Sequence, residues 1–159
     1  MTTNRSRFAP GDERETVSRE TPLEEVVRAS GHANVSATHA STFEVTTDDF
    51  LTPAGDCILA IEADRAPASF DPAFVEACRD RSATIEVTVE AGGSRTVVRG
   101  RGDPRLTFAS ERSAVGRTSE YVDDRTVVLS ADHGADGFDR DLVAALADGA
   151  ETTIRFRVE

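Results

Sequence analysis

Apolar residues in this chain follow two periods, and the order of those periods occurs twice. Ile85, Val87 and Val89 alternate with Thr and Glu, as Ile154, Phe156 and Val158 alternate with Thr and Arg. A period of two over several residues predicts a strand with one buried face. Ahead of each strand lies a run with apolar residues three and four apart: Phe74, Val75 and Cys78, then Leu142, Val143 and Leu146. That spacing predicts a short helix with one apolar stripe laid on a sheet. Asp71 and Pro72 mark the first helix start, because Asp accepts free N–H groups there and Pro loses no hydrogen bond at the first helical position. Asp139 marks the second. Phe70 with Val75, and Phe138 with Val143, have hydrophobic-staple spacing around those caps.

The similarity extends to residue identities. Residues 56–80 set against 124–148 without gaps give eight identities in 25 positions, among them Ala63-Asp64 with Ala131-Asp132 and Phe70-Asp71 with Phe138-Asp139. Chance would give about two in so Ala/Asp-rich a chain. Upstream, Val26-Val27-Arg28-Ala29-Ser30-Gly31 mirrors Val97-Val98-Arg99-Gly100-Arg101-Gly102. Thr21-Pro22-Leu23-Glu24 has the form of a capping box that would open a helix. Its counterpart Arg95–Arg99 follows an Ala91-Gly92-Gly93-Ser94 turn as the second strand of a hairpin, so the repeat predicts a strand over 23–29 instead.

Each half then reads β-β-β-α-β. The predicted fold is α+β, with internally duplicated halves forming a mostly antiparallel sheet or half-open barrel and two short helices. Residues 21–159 form one domain, with halves at about 23–90 and 95–159. Residues 1–20 are polar, charged and aperiodic, which predicts a disordered arm.

Composition adds a setting. The 159 residues carry 29 acidic against 18 basic side chains, a net charge of −11, and every basic residue is arginine. An acidic, lysine-free surface suits a salt-in halophile, where molar salt screens self-repulsion to about 3 Å. Nucleic-acid affinity comes largely from cations neutralising phosphates and weakens steeply in salt, so a nucleic-acid partner is not expected. No segment approaches the roughly 20 apolar residues of a membrane span, and no signal-peptide core opens the chain. Cys57 and Cys78 form no spaced disulfide framework, which points to a reduced cytoplasm.

Candidate chemistry gathers in residues 31–64. His32 and His39 flank a turn, with Glu44, Asp56 and Cys57 close in sequence. Imidazole binds divalent metals and titrates near neutrality, so His32 and His39 are candidate metal ligands and His32 a candidate acid or base. On a strand through Val45, His39 would instead share a face with Phe43 and Val45 as a hydrogen-bonded core residue. Cys57, at a turn near histidine, is a candidate nucleophile; alternatively it is a small apolar residue opening a strand. Asp64 and Asp132 leave strand ends before loops into helices. They are candidate catalytic carboxylates if a pseudo-twofold axis brings them together, and loop-capping side chains if it does not. Gly31, Asn34, Thr42, Glu44 and Asp56 complete a candidate ligand-binding set.

The segments Gly31-His32-Ala33-Asn34-Val35, Ala37–Thr46 and Leu51–Ile58, followed by Ala63-Asp64, together resemble DUF371, an archaeal domain family without an assigned activity. The resemblance covers about residues 23–159 and implies an archaeal intracellular protein. Ala33 and Asp103 depart from the family pattern, which tends to have proline and a second histidine there. Two readings of function follow. One is a small-molecule- or metal-binding protein, with a divalent metal as candidate cofactor and catalysis in a cleft lined by Gly31, His32, Asp56, Cys57 and Asp64. The other is a non-catalytic module for a protein or nucleic-acid partner. An enzyme should gather these residues in one concave site, whereas a binding module should scatter them.

Overall fold

Residues 23–159 are described by a computed structural model, and the arm expected at residues 1–20 lies outside them. The elements run β1 (Leu23–Ser30), β2 (Thr42–Thr46), β3 (Ile58–Ala60), α1 (Pro72–Cys78), β4 (Thr84–Ala91), β5 (Ser94–Arg101), β6 (Ser113–Arg117), β7 (Thr126–Val128), α2 (Arg140–Ala147) and β8 (Glu151–Val158). A single 3₁₀ turn precedes each helix. Residues 23–30 are a strand, as the 97–102 counterpart predicts and the capping-box cue does not. Both helices start where expected. Asp71 accepts from the Ala73 N–H at 2.8 Å, and Asp139 accepts from those of Asp141 and Leu142 at 2.8 and 3.1 Å.

The expected single sheet or half-open barrel is replaced by two four-stranded sheets that do not close into a barrel. The first has the order β1-β8-β4-β5 and is antiparallel throughout. The second has the order β3-β2-β6-β7, with an antiparallel centre and a parallel pair on each side. Parallel neighbours need a connection that crosses one sheet face, and this sets the second sheet apart from the wholly antiparallel first sheet. Among the described residues, two isolated bridges, Ser30–Ile61 and Arg101–Leu129, join the chain between the sheets. Directly after each bridge the chain turns at positive φ, 57° at Glu62 and 51° at Ser130, so neither ladder continues.

Alternation decides the faces. Val27 and Ala29 of β1, Ile85, Val87 and Val89 of β4, and Ile154, Phe156 and Val158 of β8 point inward and are buried. They join both helices and the Phe43/Val45 face of the second sheet in one apolar core. Phe70 lies 5.3–6.0 Å from Phe74, Phe108 and Phe156, in contacts typical of aromatic packing. The outer face of the first sheet is charged. Glu86 pairs with Arg99 at 2.8 Å and approaches Arg157 at 4.0 Å, while Glu90 approaches Arg95 and Arg155 at 3.9 Å each.

Candidate functional site

Most of the predicted site residues hold the backbone. Nδ1 of His32 accepts the N–H of Asn34 at 2.9 Å. At the matching turn beyond β5, Oδ1 of Asp103 accepts the N–H of Arg105 at 2.8 Å. The neighbouring glycines are matched as well. A Cβ on Gly31 would run into the carbonyl oxygen of Leu146 at the end of α2, and one on Gly102 into that of Cys78 at the end of α1. Nδ1 of His39 accepts from the N–H groups of Ser41 and Thr42 at 3.3 and 3.2 Å, just before β2. Each imidazole thus turns its unprotonated nitrogen to the backbone, which puts the ring proton on Nε2. Among the described residues, no three His, Cys, Asp or Glu side chains are grouped to hold a metal ion.

Asp64 and Asp132 do not converge. Asp64 accepts the Arg28 N–H at 2.9 Å and returns its own N–H to the Arg28 carbonyl at 2.8 Å. Asp132 does the same with Arg99, at 3.2 and 2.9 Å. Arg28 is on β1 and Arg99 on β5, the two outer strands of the first sheet. Two strands intervene, roughly 14 Å at 4.8 Å per step, too far to share a proton or a metal ion. An open depression of about 480 Å³ adjoins Asp64, lined also by Thr47, Arg65, Ser69 and Glu111. Arg65 is already engaged there, with Glu25 at 2.7 Å and with the carbonyls of Val26 and Ser69 at 3.1 Å. Asn34 is engaged too, its side chain donating to the Leu51 carbonyl at 2.7 Å.

One group of predicted residues does come together, on the outer face of the second sheet. Cys57 stands just before β3, and its Sγ donates to Oε1 of Glu44 on β2 at 3.6 Å. Oγ1 of Thr42 lies 3.1 Å from Nδ1 of His39 on the same side. Asp56 takes part through its backbone, its carbonyl accepting from Thr38 and His39 at 3.0 and 3.2 Å. The segment 117–126 supplies residues that the sequence did not single out as a site. Arg125 approaches Oε1 of Glu44 at 4.0 Å and pairs with Asp123 at 2.9 Å. Arg117 on β6 pairs with Asp123 at 3.0 Å, donates to Oγ1 of Thr126 at 2.9 Å, and lies 4.8 Å from the ring centre of the exposed Tyr121. The connection 118–125 therefore crosses this outer face. The local signal was the string Asp123-Asp124-Arg125-Thr126, but which strand it would face was not legible.

The electrostatics are distinctive. Burial pushes the Cys57 thiol up, the charge of Glu44 adds to this, and the result is about 11. That thiol is protonated at neutral pH and is not primed as a nucleophile. Burial also opposes ionisation of Asp123. Hydrogen bonds from Arg125 and Thr126 and the nearby Arg117 outweigh it and bring the carboxyl down to about 2. The Glu44 side chain is 14% exposed and that of Arg125 45% exposed, so a carboxylate and a guanidinium face one another at the water boundary.

Comparison with known proteins finds relatives of this chain. The family model described as "Domain of unknown function (DUF371)" matches residues 27–159. The chain belongs to the DUF371 family. An uncharacterized protein of the archaeon Methanocaldococcus jannaschii, MJ0206, is 35% identical over 136 residues, 86% of this chain and all of that one. In this DUF371 protein the matched region contains the whole Glu44–Arg125 cluster and both turn histidines. Among the described residues no helix is long and apolar enough to cross a membrane.

Proposed function

We propose that this DUF371 protein binds a small polar molecule at the Glu44–Cys57–Arg125 face, without a covalent step through Cys57. The observation that carries the reading is the 4.0 Å approach of Arg125 to Glu44 at the edge of a half-buried ionic network. A carboxylate that accepts and a guanidinium that donates, both reaching water, suit a ligand with a cationic and an anionic end. Cys57 and Thr42 line the same place, with the protonated thiol as a weak donor. The experiment is an amide-resolved NMR titration in molar KCl with free amino acids, using simple carboxylic acids and simple amines as half-ligands. Shifts centred on Glu44, Cys57 and Arg125, and lost in Glu44→Gln, support the reading. Saturable shifts elsewhere, or none, overturn it.

Three further readings accompany this one. The two sets of elements arose by duplication of a β-β-β-α-β unit, supported by the eight identities in 25 positions. Relatives whose halves resemble each other no more than chance would argue against that. The lysine-free surface with a charge of −11 is an adaptation to molar salt. A melting temperature unchanged between 0.1 and 2 M KCl would remove that support. The protein works in the cytoplasm, where its two free thiols stay reduced; fractionation of the source cells tests this.

A further inference from the structure

Beyond the Glu44 face, one cluster gathers more cations than the carboxylates beside it can occupy. Asp103 follows β5 and is 1% exposed, its N–H donated to the Cys78 carbonyl at the end of α1 at 3.1 Å. Its carboxylate gathers three arginines. Oδ1 accepts from the Arg105 backbone N–H at 2.8 Å and from Arg105 Nε at 3.0 Å. Oδ2 accepts from Arg101 Nη1 at 3.1 Å and Arg105 Nη2 at 3.3 Å, and Arg81 Nε stands 3.8 Å away. Arg79 lies alongside, donating from Nε to the Pro104 carbonyl at 3.1 Å.

Among the described residues, few acids face this cluster. Glu120 approaches Arg101 at 3.4 Å and offers its carbonyl to Arg105 at 3.1 Å. Asp80 turns to Ser82, at 2.8 and 2.7 Å. Four guanidiniums therefore meet Asp103, Glu120 and a self-capped Asp80. A carboxylate offers about four acceptor positions and each guanidinium five donors, so donors remain once Asp103 is saturated. They face water: the side chains of Arg81 and Arg105 are 75% and 51% exposed.

The other turn of the same shape forms without these arginines. At the matching turn, Ser30 stands for Arg101, His32 for Asp103 and Asn34 for Arg105, and the Gly31 contact with α2 forms all the same. Ala147 stands for Arg79, and the Asp148-Gly149 turn carries no arginine. Ion pairs placed only to hold the turn would be needed on both sides, yet one side does without them.

We infer that Arg81, Arg101 and Arg105, arrayed by the buried Asp103, form a binding site for a phosphate group. Planar guanidiniums held in fixed directions match a phosphate's oxygens through paired N–H donors. Asp103 is a positioning residue: it fixes Arg101 and Arg105 and does not touch the ligand. The phosphate is carried by a small molecule, because the arginines converge on one carboxylate instead of being strung out to follow successive phosphates of a nucleic-acid backbone.

The test is isothermal titration of the full chain with inorganic phosphate and with a nucleoside monophosphate, in chloride buffer, with Arg side-chain Nε–H resonances followed by NMR. Saturable binding should shift Arg81, Arg101 and Arg105 and weaken at least about tenfold in Arg81→Ala and Arg105→Ala, but not in Arg95→Ala on the sheet face. Equal affinity for the two probes would mark the free ion as ligand; tighter binding of the ester would mark a phosphorylated metabolite. Arg81 is largely exposed, so its variant keeps the fold if Arg105→Ala does not. No saturable binding of either probe, or binding indifferent to Arg81→Ala, overturns the inference. Ligand binding at the Glu44 face is a separate outcome, read from different resonances.

Discussion

Nδ1 of His39 and the hydroxyl of Ser110 do the same work at matching turns. Each accepts backbone N–H groups two and three residues on, His39 from Ser41 and Thr42, Ser110 from Arg112 and Ser113 at 3.1 and 3.0 Å. Each ends the loop that leads into a central strand of the second sheet. What a serine does at one turn and a histidine at the other is to accept backbone N–H groups.

That equivalence predicts the cost of substitution. His39→Ser should keep stability within about 0.5 kcal/mol, whereas His39→Ala should cost about 1 kcal/mol by leaving two turn N–H groups without their acceptor. Urea unfolding checks both. A loss in His39→Ser as large as in His39→Ala would point to something beyond acceptance.

Asp64 and Asp132 each close a two-bond ring with an outer strand, so their losses should be independent. Asp64→Ala and Asp132→Ala should each cost roughly 1–2 kcal/mol, and the double variant should equal their sum within about 0.5 kcal/mol. A large coupling energy would mean that the carboxylates communicate, against their placement on opposite edges.

Cys57 should be a slow thiol. A rise from 9.0 to about 11 cuts the thiolate fraction at neutral pH by about a hundredfold. Alkylation followed by peptide mass spectrometry should find Cys57 far slower than free cysteine, with Cys78, pushed up to about 12 by burial, slower still. Because Glu44 contributes to the rise at Cys57, Glu44→Gln should shift the pH–rate profile of Cys57 to lower pH. Rapid alkylation of wild-type Cys57 at pH 7 would revive the nucleophile.

Acid should reach this protein late. Asp123 is lowered to about 2, and Asp103 is held further below the carboxylate range by Arg105 and Arg101 despite burial. Groups whose folded value is depressed stabilise fully above the unfolded value near 4, and that contribution is lost as pH falls through the folded value. Urea midpoints at constant salt should therefore hold to about pH 4.5 and drop between about 4 and 2. In Asp123→Asn the drop should be shallower, starting from a lower plateau. An identical pH profile in the variant would sink this assignment.

Gly31 tests the packing of the turn on α2. Gly31→Ala places a methyl against the Leu146 carbonyl and should cost roughly 1–3 kcal/mol or prevent folding, while Gly93→Ala, with open space around it, should be limited to the strain of its positive φ. Thermal melts compare the two.

Much of the secondary structure could be read from the chain alone, because strand and helix periods and Asp caps are local. Ile85–Val89, Ile154–Val158 and the Asp71 and Asp139 caps depend on near neighbours, and they formed as their spacing implies, whereas the strand at 23–30 followed its counterpart at 97–102 against the local capping-box cue. Composition likewise determined the charge of −11 and the absence of lysine. Tertiary structure decided what no window of residues contains. Whether 42–46 and 113–117 join the long strands or form a second sheet depends on crossing connections, and a strand's own pattern does not name its neighbour. The site divided for the same reason. His32, Asp64 and Asp132 looked chemical because they are polar beside apolar strands, yet their partners are backbone groups at sheet edges and turns. Glu44 found Arg125, 81 positions further along the chain, only because β2 and β6 pair at the centre of the second sheet. Short-range periodicity decides which residues are buried; long-range pairing decides which charges meet.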